Sequence, residues 1–207
     1  MSDDDLRARL CRWGRSLFER GLTGGSSGNI SVRTETGFLA TPTNSCLGFL
    51  DSDTLSELDA EGRHTGGAKP TKEVPLHLAF YAARPDAGAV VHLHSTYATL
   101  LSCLADTDPD DAVPPITPYV VMRVGRVPLL PYFAPGDAAI APVIRDKAAG
   151  AAAVLLGNHG PVVSGASLEA AVFAAEELEE TAKLAVLGRT LDVRTLDPGE
   201  VARLLRR

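Results

Sequence analysis

The stretch TKEVPLHLAFYAARPDAGAVVHLHSTYATLLSCL, residues 71–104, sets the fold class. Thr71 is a helix-capping residue type, and a helix starting there runs to about Arg84, where Pro85 ends it. Pro75 then falls in the first turn, where its missing N–H is tolerated. The run Gly88–His94 is short, apolar and rich in β-branched residues, so it reads as a buried strand. Thr96–Leu104 returns to helix. Helix, strand and helix in so short a span indicate a sheet covered by helices.

The flanking segments continue the pattern. Leu6, Leu10, Trp13 and Leu17 recur at helical spacing, and Gly21 stops that helix. NISVRTETGFLATP, residues 29–42, reads as two short strands around a turn at Gly37. Asp51–Gly67 is polar and reads as a strand with turns. Asp108–Pro135 carries seven prolines and reads as an extended excursion with one or two strands. Ala138–Ala149 is helical, with Pro142 near its start. AAAVLL, GNHG and PVVSG, residues 151–165, give strand, tight turn, strand. Ser167–Leu187 is the longest helix, ended by Gly188, and Val201–Leu205 is a short last one. The expected class is α/β or α+β, with a sheet covered by helices.

The 207 residues suit one domain, 1–207, large enough to bury a core without disulfides or a structural metal. A net charge of −6 argues against a nucleic-acid partner, which needs a clustered basic face. The hydrophobic share of 45% and charged share of 22% exclude disorder for most of the chain. Cys11, Cys46 and Cys103 are odd in number and widely spaced, which suits a reducing compartment. The acidic start lacks a signal peptide's basic and apolar regions, and no window is long and apolar enough for a membrane span. A cytoplasmic protein without membrane or nucleic-acid partners is expected.

Chemistry concentrates at a few positions. His92 and His94 alternate along the strand, so they share one face and can hold one divalent metal; a strand-end pair can equally be hydrogen-bonded and inert. His159, between Asn158 and Gly160 at the predicted turn, would complete three nitrogen ligands with an open fourth position, the catalytic rather than structural pattern. His64 reads as a surface residue and His77 as a helix residue. Glu73, in the first turn of the Thr71 helix, pairs with the helix dipole or acts as general acid/base beside the metal. Three segments can cradle anions: the Gly24–Asn29 loop, the hydroxyl-rich turn Thr41–Ser45, and the helix opening at Thr71-Lys72.

GLTGGSSGNISVR (21–33), ATPTN (40–44), KPTKE (69–73), AVVHLHS (89–95) and NHGPVV (158–163) together resemble the class II aldolase/adducin-head family. The resemblance runs from about residue 6 to 187, leaving a tail of 188–207. It implies a three-layer α/β/α fold with a mixed, mostly antiparallel central sheet, and a homotetramer with active sites between neighbouring subunits. It implies Zn2+, with Mn2+ or Co2+ as alternatives, one per subunit on His92, His94 and His159. Glu73 becomes the catalytic acid/base and a metal ligand before substrate binds. Phosphate and substrate contacts fall to Gly28, Asn29, Thr43, Asn44, Thr71 and Lys72, with Ser26 and Tyr119 added. Tyr119 and Tyr132 are next in line for proton transfer should Glu73 not serve.

Within the family, residues 113–136 and 167–184 are most similar to members that decarboxylate a phosphorylated four-carbon 3-oxo sugar acid to dihydroxyacetone phosphate and CO2. Two departures point the same way. Aldolase members tend to carry a small hydroxyl residue where this chain has Lys72, and aldolases and epimerases place a tyrosine in a tail that here has none. The resemblance thus implies a carbon–carbon lyase acting on a sugar-acid phosphate. A sugar-phosphate aldolase or 4-epimerase is the alternative enzyme, and an adducin-like interaction module the non-catalytic one.

Overall fold

The computed structural model describes residues 3–206. In chain order the elements are α1 (Asp3–Glu19), β1 (Asn29–Arg33), β2 (Gly37–Ala40), β3 (Ser56–Asp59), β4 (His64–Gly66), α2 (Val74–Ala83), β5 (Ala89–His92), α3 (Thr96–Cys103), α4 (Pro118–Arg123), β6 (Leu129–Leu130), α5 (Ile140–Ala148), β7 (Ala153–Leu156), β8 (Gly160–Gly165), α6 (Leu168–Gly188) and α7 (Pro198–Leu204). The eight strands form one sheet in the order β4-β3-β2-β1-β5-β8-β7-β6. Every pairing is antiparallel except β6 with β7.

Two separate apolar clusters cover the two faces. Ala89, Val91, Ala153, Leu155 and Val163 point into one, beneath α1, α3, α4 and α6. Val90, Val154, Leu156 and Val162 point into the other, with Leu76 and Phe80 of α2 and Ile144 of α5. Adjacent strand residues thus go to opposite cores, so the central strands are apolar throughout rather than alternating. Each fully buried Val or Leu contributes about 1.5–3 kcal/mol of burial free energy. The α/β class and the three-layer arrangement with a mostly antiparallel sheet are both present.

Three local expectations change. Thr71 does not cap α2: the cap position is Glu73, with no side-chain cap bond, and the Thr71 Oγ accepts the Glu73 N–H at 3.2 Å. Glu73 therefore stands just before the helix rather than in its first turn. The proline-rich span 108–135 contains a helix, α4. Thr117 caps it by accepting the Val120 N–H, and Pro118 supplies a first-turn residue with no N–H to satisfy. The polar span 51–67 holds two strands, β3 and β4, rather than one. Among the described residues, no helix is long and apolar enough to cross a membrane.

Candidate active site

β5 pairs with β1 so that Asn29 lies directly opposite His92. His92 closes the strand and is fully buried. Its Nδ1–H donates to the Pro161 carbonyl at 2.9 Å, which leaves the Nε2 lone pair facing inward. Two residues on, His94 is exposed, with its Nε2 3.2 Å from that of His92. His159 arrives from the β7–β8 turn, where Asn158 takes φ 54° and Gly160 φ 149°. A Cβ on Gly160 would stand 2.5 Å from the Leu93 carbonyl oxygen, so only glycine lets this turn press against the His92–His94 segment.

The three rings are mutually edge-on, with centroids 4.8–5.0 Å apart, and their ligand nitrogens lie within 4.8 Å of one another. Burial pushes the His92 imidazolium down to about 3 and lowers those of His94 and His159, so all three rings are neutral near pH 7. Three neutral nitrogens facing one point, with the His94 side open, form a donor set that fits a divalent transition-metal ion.

Glu73 reaches the same point. Its Oε2 is 3.4 Å from His92 Nε2 and its Oε1 is 3.8 Å from His159 Nε2. Burial alone would raise this carboxyl. Charge attraction from the facing imidazoles whenever they carry a proton, with the Asn29 amide donating to Oε2 at 2.8 Å, brings it below its ordinary value. Glu73 is not engaged with its own helix terminus, so its direction serves the histidine cluster.

The three segments read as anion cradles meet above this floor. A bridge between Pro42 and Pro70, with Thr43 N–H to the Lys69 carbonyl and Thr71 N–H to the Thr41 carbonyl, laces the second segment to the third. In the first, Thr23 Oγ donates to the Ser27 carbonyl and Ser27 Oγ to the Gly24 carbonyl. Together they wall a pocket of about 280 Å3. Ser26, Gly28, Asn29, Thr43, Asn44, Thr71, Lys72, Glu73, His94 and His159 all line it.

Tyr119 does not. It sits on α4, 57% exposed, beside the Arg123 guanidinium. Tyr132 is likewise outside the lining and exposed. His64 is on the surface, as read from the sequence. Sequence reading missed Pro135, which lines the pocket beside His159, and the Pro161 carbonyl that orients His92. It also missed His77, buried and bonded to Asn29 through a 2.5 Å contact. The available signal was spacing: His77 is four residues past Glu73, on the same side of α2.

The chain is similar to known proteins over nearly its whole length. The chain is 48% identical over 204 residues to 3-oxo-tetronate 4-phosphate decarboxylase of Pectobacterium atrosepticum, covering 98% of this chain and 94% of that one. It is 35% identical over 181 residues to L-fuculose phosphate aldolase of Methanocaldococcus jannaschii, covering 86% and 93%. The crystal structure of YgbL from Escherichia coli superposes with a TM-score of 0.95 at 49% identity, covering 98% of each chain. The model of the class II aldolase and adducin N-terminal domain matches residues 8–186. With the histidine triad, the three walls of the pocket and the sheet order beneath them, this match means that the chain belongs to the class II aldolase and adducin N-terminal domain family.

Proposed function

We propose that this chain is a carbon–carbon lyase that decarboxylates a 3-oxo-tetronate 4-phosphate to dihydroxyacetone phosphate and CO2, as a step of four-carbon sugar-acid catabolism. The observation that carries decarboxylation over aldol cleavage is the 48% identity to the Pectobacterium decarboxylase over 98% of the chain, against 35% over 86% for the aldolase. The pocket fits such a substrate: a phosphate needs the N–H groups and hydroxyls of the walls, and a carboxylate needs a further cation, which Lys72 supplies.

His92, His94 and His159 would hold zinc, which when bound supplies Lewis-acid polarisation of the substrate's carbonyl. The remaining work falls to the chain. Gly28, Asn29, Thr43, Asn44 and Thr71 hold the phosphate, with Ser26 at the rim, and fix the four-carbon skeleton over the histidines. Lys72 orients the carboxylate so that the breaking C1–C2 bond stands perpendicular to the C3 carbonyl plane. When that bond breaks, its electron pair stays with C2 and CO2 leaves. The net reaction takes up one proton, and Glu73 passes it from solvent to C2.

The protein is placed here in the cytoplasm as a homotetramer of single-domain chains. Tyr119 and Phe173 are both exposed and lie 5.9 Å from the Arg123 guanidinium, with Met122 exposed on the helix of Tyr119, and large apolar side chains brought together in this way support association. Tyr119 would reach substrate only across such a contact. Reconstitution tests the metal and the reaction together. Chelator-stripped protein should release no CO2 from the substrate and should recover with about one zinc per chain. Full turnover in the stripped state would overturn the reading.

A further inference from the structure

Behind Glu73 the two layers carry polar groups in step. From the cap of α2 onward they recur every four residues, at Glu73, His77 and Tyr81, a rise of about 6 Å. On β1 they recur every two, at Asn29 and Ser31, a rise of about 6.7 Å. The near match lets the rows interdigitate. Asn29 Nδ2 meets Glu73 Oε2 at 2.8 Å, and Asn29 Oδ1 meets His77 Nε2 at 2.5 Å. Ser31 Oγ meets His77 Nδ1 at 2.7 Å and the Tyr81 hydroxyl at 2.9 Å. All five residues are buried.

The donors can be assigned from the Glu73 end. An ionised carboxylate only accepts, so Asn29 turns its NH2 to Glu73 and its oxygen to His77. His77 must then carry its proton on Nε2. Burial keeps its imidazolium near 4, so the ring is neutral and its Nδ1 accepts from Ser31. Ser31 has spent its one proton and accepts from Tyr81. The Tyr81 ring is clamped by Phe38, stacked at 4.6 Å, and by the Arg33 guanidinium at 4.8 Å. Of the two Glu73 oxygens only Oε2 is tied to this row, which leaves Oε1 toward His159.

We propose that His77, anchored by Ser31 and Tyr81, is a positioning residue: it fixes the Asn29 amide, and through it the Glu73 carboxylate, in the orientation that turns Oε1 to the reacting atoms. A buried polar row of this kind costs desolvation at each member, and a plain apolar contact between α2 and β1 would avoid that cost. The inference rests on the proposed role of Glu73.

The test uses the full-length zinc-loaded protein with 3-oxo-tetronate 4-phosphate. His77→Leu should lower kcat by roughly 10–100-fold while KM stays within about threefold and zinc content is unchanged, the pattern of a lost transition-state interaction. His77→Gln, which keeps a donor toward Asn29, should recover to within about fivefold of the parent. In an Asn29→Leu background, His77→Leu should cost less than about twofold more, because the pathway through Asn29 is already cut. A folded His77→Leu protein with parental kcat overturns the proposal, as does the same loss with and without Asn29. If His77→Leu does not fold, Ser31→Ala and Tyr81→Phe decide: a kcat loss of roughly 2–10-fold at constant KM supports the row, and parental kcat in both overturns it. Glu73→Gln separates the two levels. Near-normal turnover there fails the functional reading itself, whereas loss of turnover there beside an unaffected His77→Leu fails this inference alone.

Discussion

At the scale of single residues, Glu73 and Lys72 are neighbours with opposite surroundings. Glu73 is buried among imidazoles and an amide, and Lys72 is exposed at the pocket wall. Replacing Glu73 by Gln keeps shape and the Asn29 contact but removes the transferable proton, so turnover should fall roughly 10²–10⁴-fold with zinc and fold retained. Steady-state kinetics beside elemental analysis check this. Lys72→Ser removes a full charge from the N-terminal side of α2. It should weaken binding of the acid substrate by about 1–3 kcal/mol, the range for a lost charge-assisted hydrogen bond. A substrate without the carboxylate should be affected much less. Calorimetric titration with both ligands reads the difference, and equal losses would make Lys72 a general anion contact. These two residues were legible through the family resemblance, since a carboxylate or a cation beside a helix start reads equally as dipole pairing or a solvated charge. Asn29 was legible only as a pocket residue. Its bond to Glu73 depends on α2 lying across β1, which no local pattern states.

At the scale of elements, the histidine cluster depends on how the β7–β8 turn and α3 are held. Gly160 lets the turn approach Leu93, and Glu179 of α6 accepts the Tyr97 and Ala98 N–H groups at the start of α3, just after His94. Glu179→Ala should leave those two N–H groups without their carboxylate acceptor and cost roughly 2–4 kcal/mol, measured by denaturant unfolding, as expected for lost charged hydrogen bonds in a buried setting. Gly160→Ala should strain both φ and contact, lower the melting temperature and reduce zinc per chain. A Gly160→Ala protein with full zinc content would show that the turn does not set the His159 position. The strand at His92 could be read from its short apolar, β-branched run, and the turn at His159 from its flanking glycines. Helix α4 could not, because seven prolines over 108–135 mask its start signals, Thr117 and Pro118. That hidden helix is also why Tyr119 falls outside the pocket of its own chain.

At the scale of the whole molecule, buried neutral histidines couple stability to pH. His77 has a folded value of about 4 and His92 of about 3, against 6.5 as the ordinary value. A depressed histidine leaves the unfolded chain binding protons more readily. The associated stability is therefore complete above about pH 6.5 and lost as pH falls through 4 toward 3. The His77 shift corresponds to about 3 kcal/mol. Metal-stripped protein should melt progressively lower from pH 7 to pH 4, and His77→Gln should flatten part of that slope; parallel curves for the two proteins would contradict the assignment. A sheet covered by helices was readable from one helix–strand–helix span, and the family resemblance narrowed it to α/β. The sheet order was not, because β1 joins β5 across a long intervening segment and nothing in either strand names its neighbour. The central claim is decarboxylation at this histidine pocket. Its most direct test is kcat/KM of the zinc-loaded protein for 3-oxo-tetronate 4-phosphate and for L-fuculose 1-phosphate, with CO2, dihydroxyacetone phosphate and aldehyde all quantified. The account predicts CO2 and dihydroxyacetone phosphate in equal amounts from the first substrate, at a kcat/KM at least about 100-fold above aldehyde release from the second. Aldehyde release as the faster reaction, with no CO2 from the acid, would contradict it.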